Sequence, residues 1–260
     1  MINFRSLGFV TVIAFACGPG EACGAEFTAR EVTEQLYRAT GPVDLSGRDL
    51  EGLDLSLIDF KKTNLQNARM FGVNLSGSNL SGADLAAANL DRANIIGAKF
   101  DGARLAGATM LRPSTTVGRE PGAETPPSFV GADLTGAKVF GQLSRVDLTR
   151  ANLEGATLAP FGKTGFIEDL FRTELEGAQL DGANLGMSDL TYVSFRFASL
   201  KGANLRGAKL HNADFSKADL TGADLTGADV READFDGAVL TDVIGLDRLS
   251  SRDLARNLPF

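Results

Sequence analysis

From Ala203 to Leu240 the chain repeats one five-residue phrase eight times, and its apolar residue returns at stride five: Leu205, Leu210, Phe215, Leu220, Leu225, Val230, Phe235, Leu240. Small residues stand two places earlier, at Ala203, Ala208, Ala213, Ala218, Ala223, Ala228, Ala233 and Ala238. This stride excludes the two commonest elements. On a helix a step of five turns a side chain by about 140°, which spreads the apolar set around every face. On a strand successive members alternate between the two faces, so neither becomes a core. The stride buries its apolar residues only if the path bends every five residues and returns each one to a common axis. Four bends close a coil of about twenty residues, and stacked coils pair like parallel strands about 4.8 Å apart. The residue two places after the apolar one is often Gly, as a tight bend favours.

Phe195, Phe215 and Phe235 are spaced by twenty and are expected to stack in one interior column, as close packing of a narrow core favours. The phrase resembles the A(D/N)LxG consensus of the pentapeptide-repeat family, and the resemblance covers roughly residues 42 to 244. It implies an all-β solenoid, specifically a right-handed quadrilateral parallel β-helix with short helical caps at both ends. It also implies a protein without catalytic activity, as in many members, including lumenal and periplasmic ones. Some cytoplasmic members bind DNA gyrase or related topoisomerases by mimicking DNA.

Residues 1–25 read as an export signal. Arg5 supplies a minimal positive charge, Leu7–Ala16 is an apolar run too short to span a bilayer, and Gly18-Pro19-Gly20 breaks it. Cleavage after Ala22 or Ala25 fits the small residues there, and a periplasmic or lumenal destination follows. Both cysteines, Cys17 and Cys23, lie in this segment, so cleavage after Ala25 leaves neither disulfide nor thiol chemistry. A lipid anchor on Cys17 is disfavoured because Ala14, not Leu, stands three places before it.

Residues 26–41 are expected to form an N-terminal capping helix, with Thr28 and Glu31 as a capping box and Val32, Leu36 and Tyr37 as its apolar stripe. The β-helix is placed at 42–244, with apolar residues at every fifth position from Leu45 to Met110. Given 43% hydrophobic residues, that run has a chance of roughly 10⁻⁵. Arg48 occupies an inward slot and is expected near the open end, where its head reaches water. Two loop insertions are expected: 111–129, which is rich in Pro, and 159–172, which carries Phe161, Phe166 and Phe171. The phase slips by one residue near Leu143. The total is about eight coils, a rod roughly 40 Å long. A second capping helix is expected over 245–260, from Leu246, Leu249, Leu254 and Leu258 with a Ser250/Asp253 capping box.

No constellation carries chemistry, and neither a cofactor nor a metal is expected. Gly162-Lys163-Thr164 resembles the end of a phosphate-binding loop, but Thr157 stands where that loop requires Gly. His211 is the only histidine and follows an inward Leu, so it belongs on the surface. A net charge of −7 argues against nucleic-acid binding or attachment to an anionic membrane. The line Asp214, Asp219, Asp224, Asp229, Asp234 suggests DNA mimicry until the stride is followed, when it becomes a ring. Only Asp214 and Asp234 share a face, with Glu174, Glu176 and Asp236, and Arg196 and Lys217 interrupt it.

The apolar surface signal is Met187, Tyr192 and Phe197, which replace Gly at the bend in three consecutive repeats. They read as a contact site, together with Phe161 and Phe166, or as a cluster that the second insertion covers. The function expected is an exported, non-catalytic structural or protein-interaction scaffold, with topoisomerase binding as the alternative. A terminal cap also offers a surface through which two copies could pair.

Overall fold

The computed structural model describes residues 28–60, 62–115, 125–160 and 172–259. In almost every repeat one residue forms a parallel bridge, the next is the buried apolar residue, and a two-residue turn follows. The first turn shows how the sequence closes it: Arg48 N donates to Leu45 O at 3.2 Å while Gly47 takes φ 64°. Positive φ at the third position of a turn is the type II pattern, which favours Gly. Asp44 completes the unit, because its Oδ1 accepts from Ser46 N at 3.0 Å. This Asx turn explains the Asp/Asn preference before the apolar residue, and it recurs at Asp214, Asp219, Asp224, Asp229 and Asp234.

The bridges form four ladders, here numbered by the residue that opens each: Asp44, Asp49, Asp54 and Asp59. The first ladder runs Asp44, Asn64, Asp84, Arg104, Asp133, Asn152, Asn184, Asn204, Asp224, Ile244, which is nine steps rather than the eight coils expected. The chain is thus a parallel β-helix about 43 Å long at ~4.8 Å per step. Its core is one continuous cluster. Beneath the first ladder it is leucine at every level from Leu45 to Leu225, and beneath the third Phe195, Phe215 and Phe235 stack with ring centres 4.9 and 5.1 Å apart.

The interruptions differ from expectation in extent. Leu111 belongs to β1 (Thr109–Leu111), which pairs in parallel with β2 (Lys138–Phe140), and Ser114 and Ser128 both sit in ladders. The first insertion therefore falls between Thr115 and Ser128 and changes the bridge offset from 20, at Asn94 with Ser114, to 29, at Lys99 with Ser128. Phe129 is a core residue whose ring stacks on Phe100 at 4.7 Å. The Pro cluster beside it concealed this in the sequence. The one-residue slip near Leu143 appears as an offset of 19 at Ser128 with Asp147, and the second insertion as an offset of 32 at Gln142 with Glu174. A water-sized cavity of about 10 Å³, lined by Met110, Phe129, Val139 and Leu143 among others, marks this change of phase.

Helix α1 (Ala29–Arg38) has the expected capping box: Thr28 Oγ1 accepts from Glu31 N, and Thr28 N donates to Glu31 Oε2 at 2.9 Å. Val32 and Leu36 enter the core cluster, but Tyr37 is 85% exposed, one position off the buried stripe. Arg48 is exposed at this end.

At the other end the helix expected over 245–260 does not form. The tail makes two single 3-10 turns, Leu246–Arg248 and Arg252–Leu254, and bridges Asp229 through Ser250 and Asp234 through Arg256. The reason is backbone satisfaction. Val230 N and Phe235 N need acceptors and find them in Ser250 O and Arg256 O, whereas a helix would spend those carbonyls on itself.

Candidate functional site

The three bend residues are where the sequence placed them, each in the left-handed region: Met187 at φ 57°, Tyr192 at 62° and Phe197 at 57°. Met187 is 69% exposed, Phe197 49%, and Tyr192 half-buried. A side chain other than Gly costs about 1–2 kcal/mol at such a site, so these residues are held there against backbone preference.

They do not form one patch. Met187 lies at the turn between the first and second ladders, Tyr192 between the second and third, and Phe197 between the third and fourth. Stride five, which turns the aspartate line into a ring, also separates the apolar trio. Met187 lies along the next coil, where a Cβ on Gly207 would come within 2.7 Å of its Sδ. Tyr192 and Phe197 bound the third ladder on its two sides. Phe197 is flanked by cations, with Arg196 Cζ 5.6 Å and Lys217 Nζ 5.3 Å from its ring centre.

The insertions leave the coil at these same two edges. The second departs after Leu158 of the second ladder and returns at Glu174 of the third, and the first departs after Ser114 of the third and returns at Ser128 of the fourth. The third-ladder surface thus has an insertion and an aromatic residue on each side. Sequence reasoning could have found this by assigning each interruption to a bend, since both bends follow from the count of repeats. Phe161, Phe166 and Phe171, the Gly162-Lys163-Thr164 run and the first 25 residues with Cys17 and Cys23 lie outside the described residues.

Four of the five acids in the aspartate ring, Asp214 to Asp229, have a basic partner. Around one coil Arg196 pairs with Asp214 at 3.7 Å, Lys201 with Asp219 at 3.3 Å, Arg206 with Asp224 at 3.0 Å, and His211 Nε2 with Asp229 Oδ2 at 2.6 Å. Each of these basic residues follows an apolar residue and reaches the acid that precedes the next one up, on all four faces of this one coil. Asp219 sits below the ordinary carboxylate range because the Thr221 hydroxyl and backbone N–H hold its charge, with Lys201 adding to them. For Asp229 burial pushes upward, but His211, the Arg231 N–H and Ser251 outweigh it. No group of three His, Cys, Asp or Glu among the described residues could hold a metal, and no helix among them is long and apolar enough to cross a membrane.

The family model for pentapeptide repeats matches eight copies, over residues 43–77, 68–107, 169–207 and 203–242. Among solved structures the chain is similar to HetL, a protein involved in heterocyst differentiation regulation in the cyanobacterium Nostoc. Identity is 27%, over 88% of this chain and 98% of that one, with TM-score 0.45. It is also similar to Rfr23 of the cyanobacterium Cyanothece, at 29% identity over 42% and 63% of the two chains, TM-score 0.30. A third is QnrB1, a plasmid-mediated fluoroquinolone resistance protein, at 17% over 77% and 85%, TM-score 0.38. No curated protein matches. With the family model covering over half of the chain on the very repeats that build the ladders, the protein belongs to the pentapeptide-repeat family.

Proposed function

We propose that this chain is an exported, non-catalytic scaffold that binds a protein partner across its third-ladder surface. The observation that carries the reading is the framing of that surface, by Tyr192 and Phe197 and by both insertions. Glu174, Asp214 and Asp234 run along it, with Glu176, Asp236, Arg196 and Lys217 in its turns, so acids outnumber bases there. A partner that presents basic side chains around an apolar anchor complements such a surface. Met187 lies outside it. The reading includes a quadrilateral cross-section, α1 as the plug of the first coil, the tail as the cover of the last, and cleavage of the N-terminal segment on export to the periplasm or lumen.

Topoisomerase binding by DNA mimicry ranks second. A phosphate-like surface needs uncompensated charge in line along one face, whereas here Asp214, Asp219, Asp224 and Asp229 each have a basic partner.

The test is cross-linked co-purification from cells that export the tagged full chain. Y192G/F197G is expected to lose the partner, and M187G to keep it. Glycine suits the left-handed backbone at all three sites, so neither variant should melt more than a few degrees below the parent. Equal capture by Y192G/F197G would sink the reading, as would intact Met1 on cytosolic protein for the export component.

A further inference from the structure

The pair Asp-Gly occurs three times, as Asp101-Gly102, Asp181-Gly182 and Asp236-Gly237, each forming the two-residue turn after a buried apolar residue. The glycine is left-handed in all three, at φ 62°, 66° and 64°. Such a pair carries a latent reaction of its own. The glycine nitrogen bonds to the aspartate Cγ, the carboxyl hydroxyl leaves with the N–H proton as water, and a succinimide ring closes. Water then adds back at one of its two carbonyls. Opening on the side-chain side restores aspartate, and opening on the main-chain side leaves isoaspartate, whose main chain runs through Cγ. Glycine suits the step because it has no Cβ to crowd the nitrogen. Closure needs both groups released, since the turn must swing the nitrogen toward Cγ.

In two of the pairs the next coil holds both groups. Gly102 N donates to Val130 O at 2.8 Å, and Asp101 Oδ1 accepts from Val130 N at 3.1 Å and from Ser128 Oγ. Gly182 N donates to Lys201 O at 2.8 Å, and Asp181 Oδ1 accepts from Lys201 N at 3.0 Å and from Ser199 Oγ. Both aspartates are half-buried. At Asp236-Gly237 neither group is held. No carbonyl among the described residues accepts from Gly237 N, no hydrogen bond or ion pair engages the Asp236 carboxylate, and both residues are exposed. The cause is the end of the ladder. Phe235 N still reaches Arg256 O at 3.1 Å, but Asn257 then turns at φ 56° and the tail brings no carbonyl to Gly237. The contrast owes nothing to local sequence, because Phe-Asp-Gly-Ala stands both at 100–103 and at 235–238.

We propose that Asp236 is a site of spontaneous modification, closing on Gly237 and reopening in part as isoaspartate, while the fold keeps Asp101 and Asp181 as aspartate. Water is the only co-reactant, and no group is oxidised or reduced. At the other two pairs the native hydrogen bonds must break before the ring can close, so closure there waits on local opening. Isoaspartate adds a methylene to the main chain in the turn that leads from Asp234 in the third ladder to Val239 in the fourth. The site lies in a turn of the protein-binding surface proposed above, and the modification stands whether or not that surface takes a partner.

The experiment incubates the full chain in oxygen-18 water at about pH 6 and 37 °C, separates the three Asp-Gly peptides after digestion, and measures isoaspartate and label in each. Every passage through the ring places one solvent oxygen in the residue. Isoaspartate is expected in the Asp236 peptide, growing at least tenfold faster than in the Asp101 or Asp181 peptide. In concentrated urea the Asp101 and Asp236 peptides should react at the same rate, because only the fold distinguishes them. No isoaspartate at Asp236, equal native rates at the three pairs, or a difference that persists in urea would each overturn the proposal. All of these readouts come from the parent chain, so no variant has to fold.

Discussion

Phe215 is the residue on which the stride makes its sharpest demand, because it is fully buried and stacked on both sides, at 4.9 Å from Phe195 and 5.1 Å from Phe235. Phe215→Ala is expected to lower stability by about 3–5 kcal/mol through lost transfer and cavity terms, read as the urea midpoint. Phe215→Asp should not yield folded protein, since a charge without a partner would sit in the core. At the surface Asp44, Asp54 and Asp219 are held below the carboxylate range by the hydroxyl and N–H of the residue two places on, Ser46, Ser56 and Thr221. A depressed folded pKa means stability that is fully present above about pH 4, the unfolded value, and that is lost as pH falls through the folded one. The urea midpoint should be flat from pH 7 to about 5 and decline below about 4. Individual residues of this kind were legible in the sequence because the slot of each residue fixes whether it faces in or out. Tyr37 was not, because one helical step of 100° separates it from Leu36 and only the docking angle of α1 decides which of them is covered.

At the scale of elements, the turn is the unit that tolerates change. The first insertion adds nine residues to an ordinary bend, seen as the step in bridge offset from 20 to 29. Deleting 116–124 should therefore restore the regular spacing and place Pro126 at the left-handed position. Pro cannot adopt that backbone, so the deletion with Pro126→Gly is expected to fold with a melting temperature within a few degrees of the parent. The deletion alone should be clearly less stable. Existence and order of the insertions could be read from where the period breaks, but their edges could not. Phe129 follows a Pro-rich run and sits at an offset of 29 from Phe100, so only the restored register identifies it as core. The tail was misread for a related reason. Leucines at helix-compatible spacing favour a helix in isolation, but the exposed backbone of the last coil offers a ladder to join, and pairing wins. Truncation after Gly245 should expose Val230 N and Phe235 N and yield concentration-dependent aggregation in light scattering.

For the whole molecule, the repeat explains both the stability and the distribution of candidate sites. Each coil contacts only its neighbours, so the phase change near Leu143 is absorbed locally and the offset returns to 20 by Glu174 with Ser194. What the plain repeat does not explain is carried by the two insertions and by the aromatic residues that replace Gly at the bends beside the third ladder. The ion pairs ring the rod without anchoring it. They lie at the surface, exposed or half-buried, and surface pairs contribute roughly 0–1 kcal/mol each, so 1 M NaCl should move the melting temperature by only a few degrees.

The ladder pattern also gives the rod a direction. In a typical repeat Leu45 N and Gly47 N donate toward the following coil, to Asn64 O and Gln66 O, while only Asn64 N donates back, to Val43 O. Two amide protons point toward the C-terminal end for each one that points the other way, so the axial peptide dipoles do not cancel. The N-terminal end is an acceptor-rich, partially negative surface and the C-terminal end a donor-rich, partially positive one. A backbone that joins the C-terminal end must bring carbonyls to it, as Ser250 and Arg256 do. Two such ends brought face to face would present mostly donors to donors.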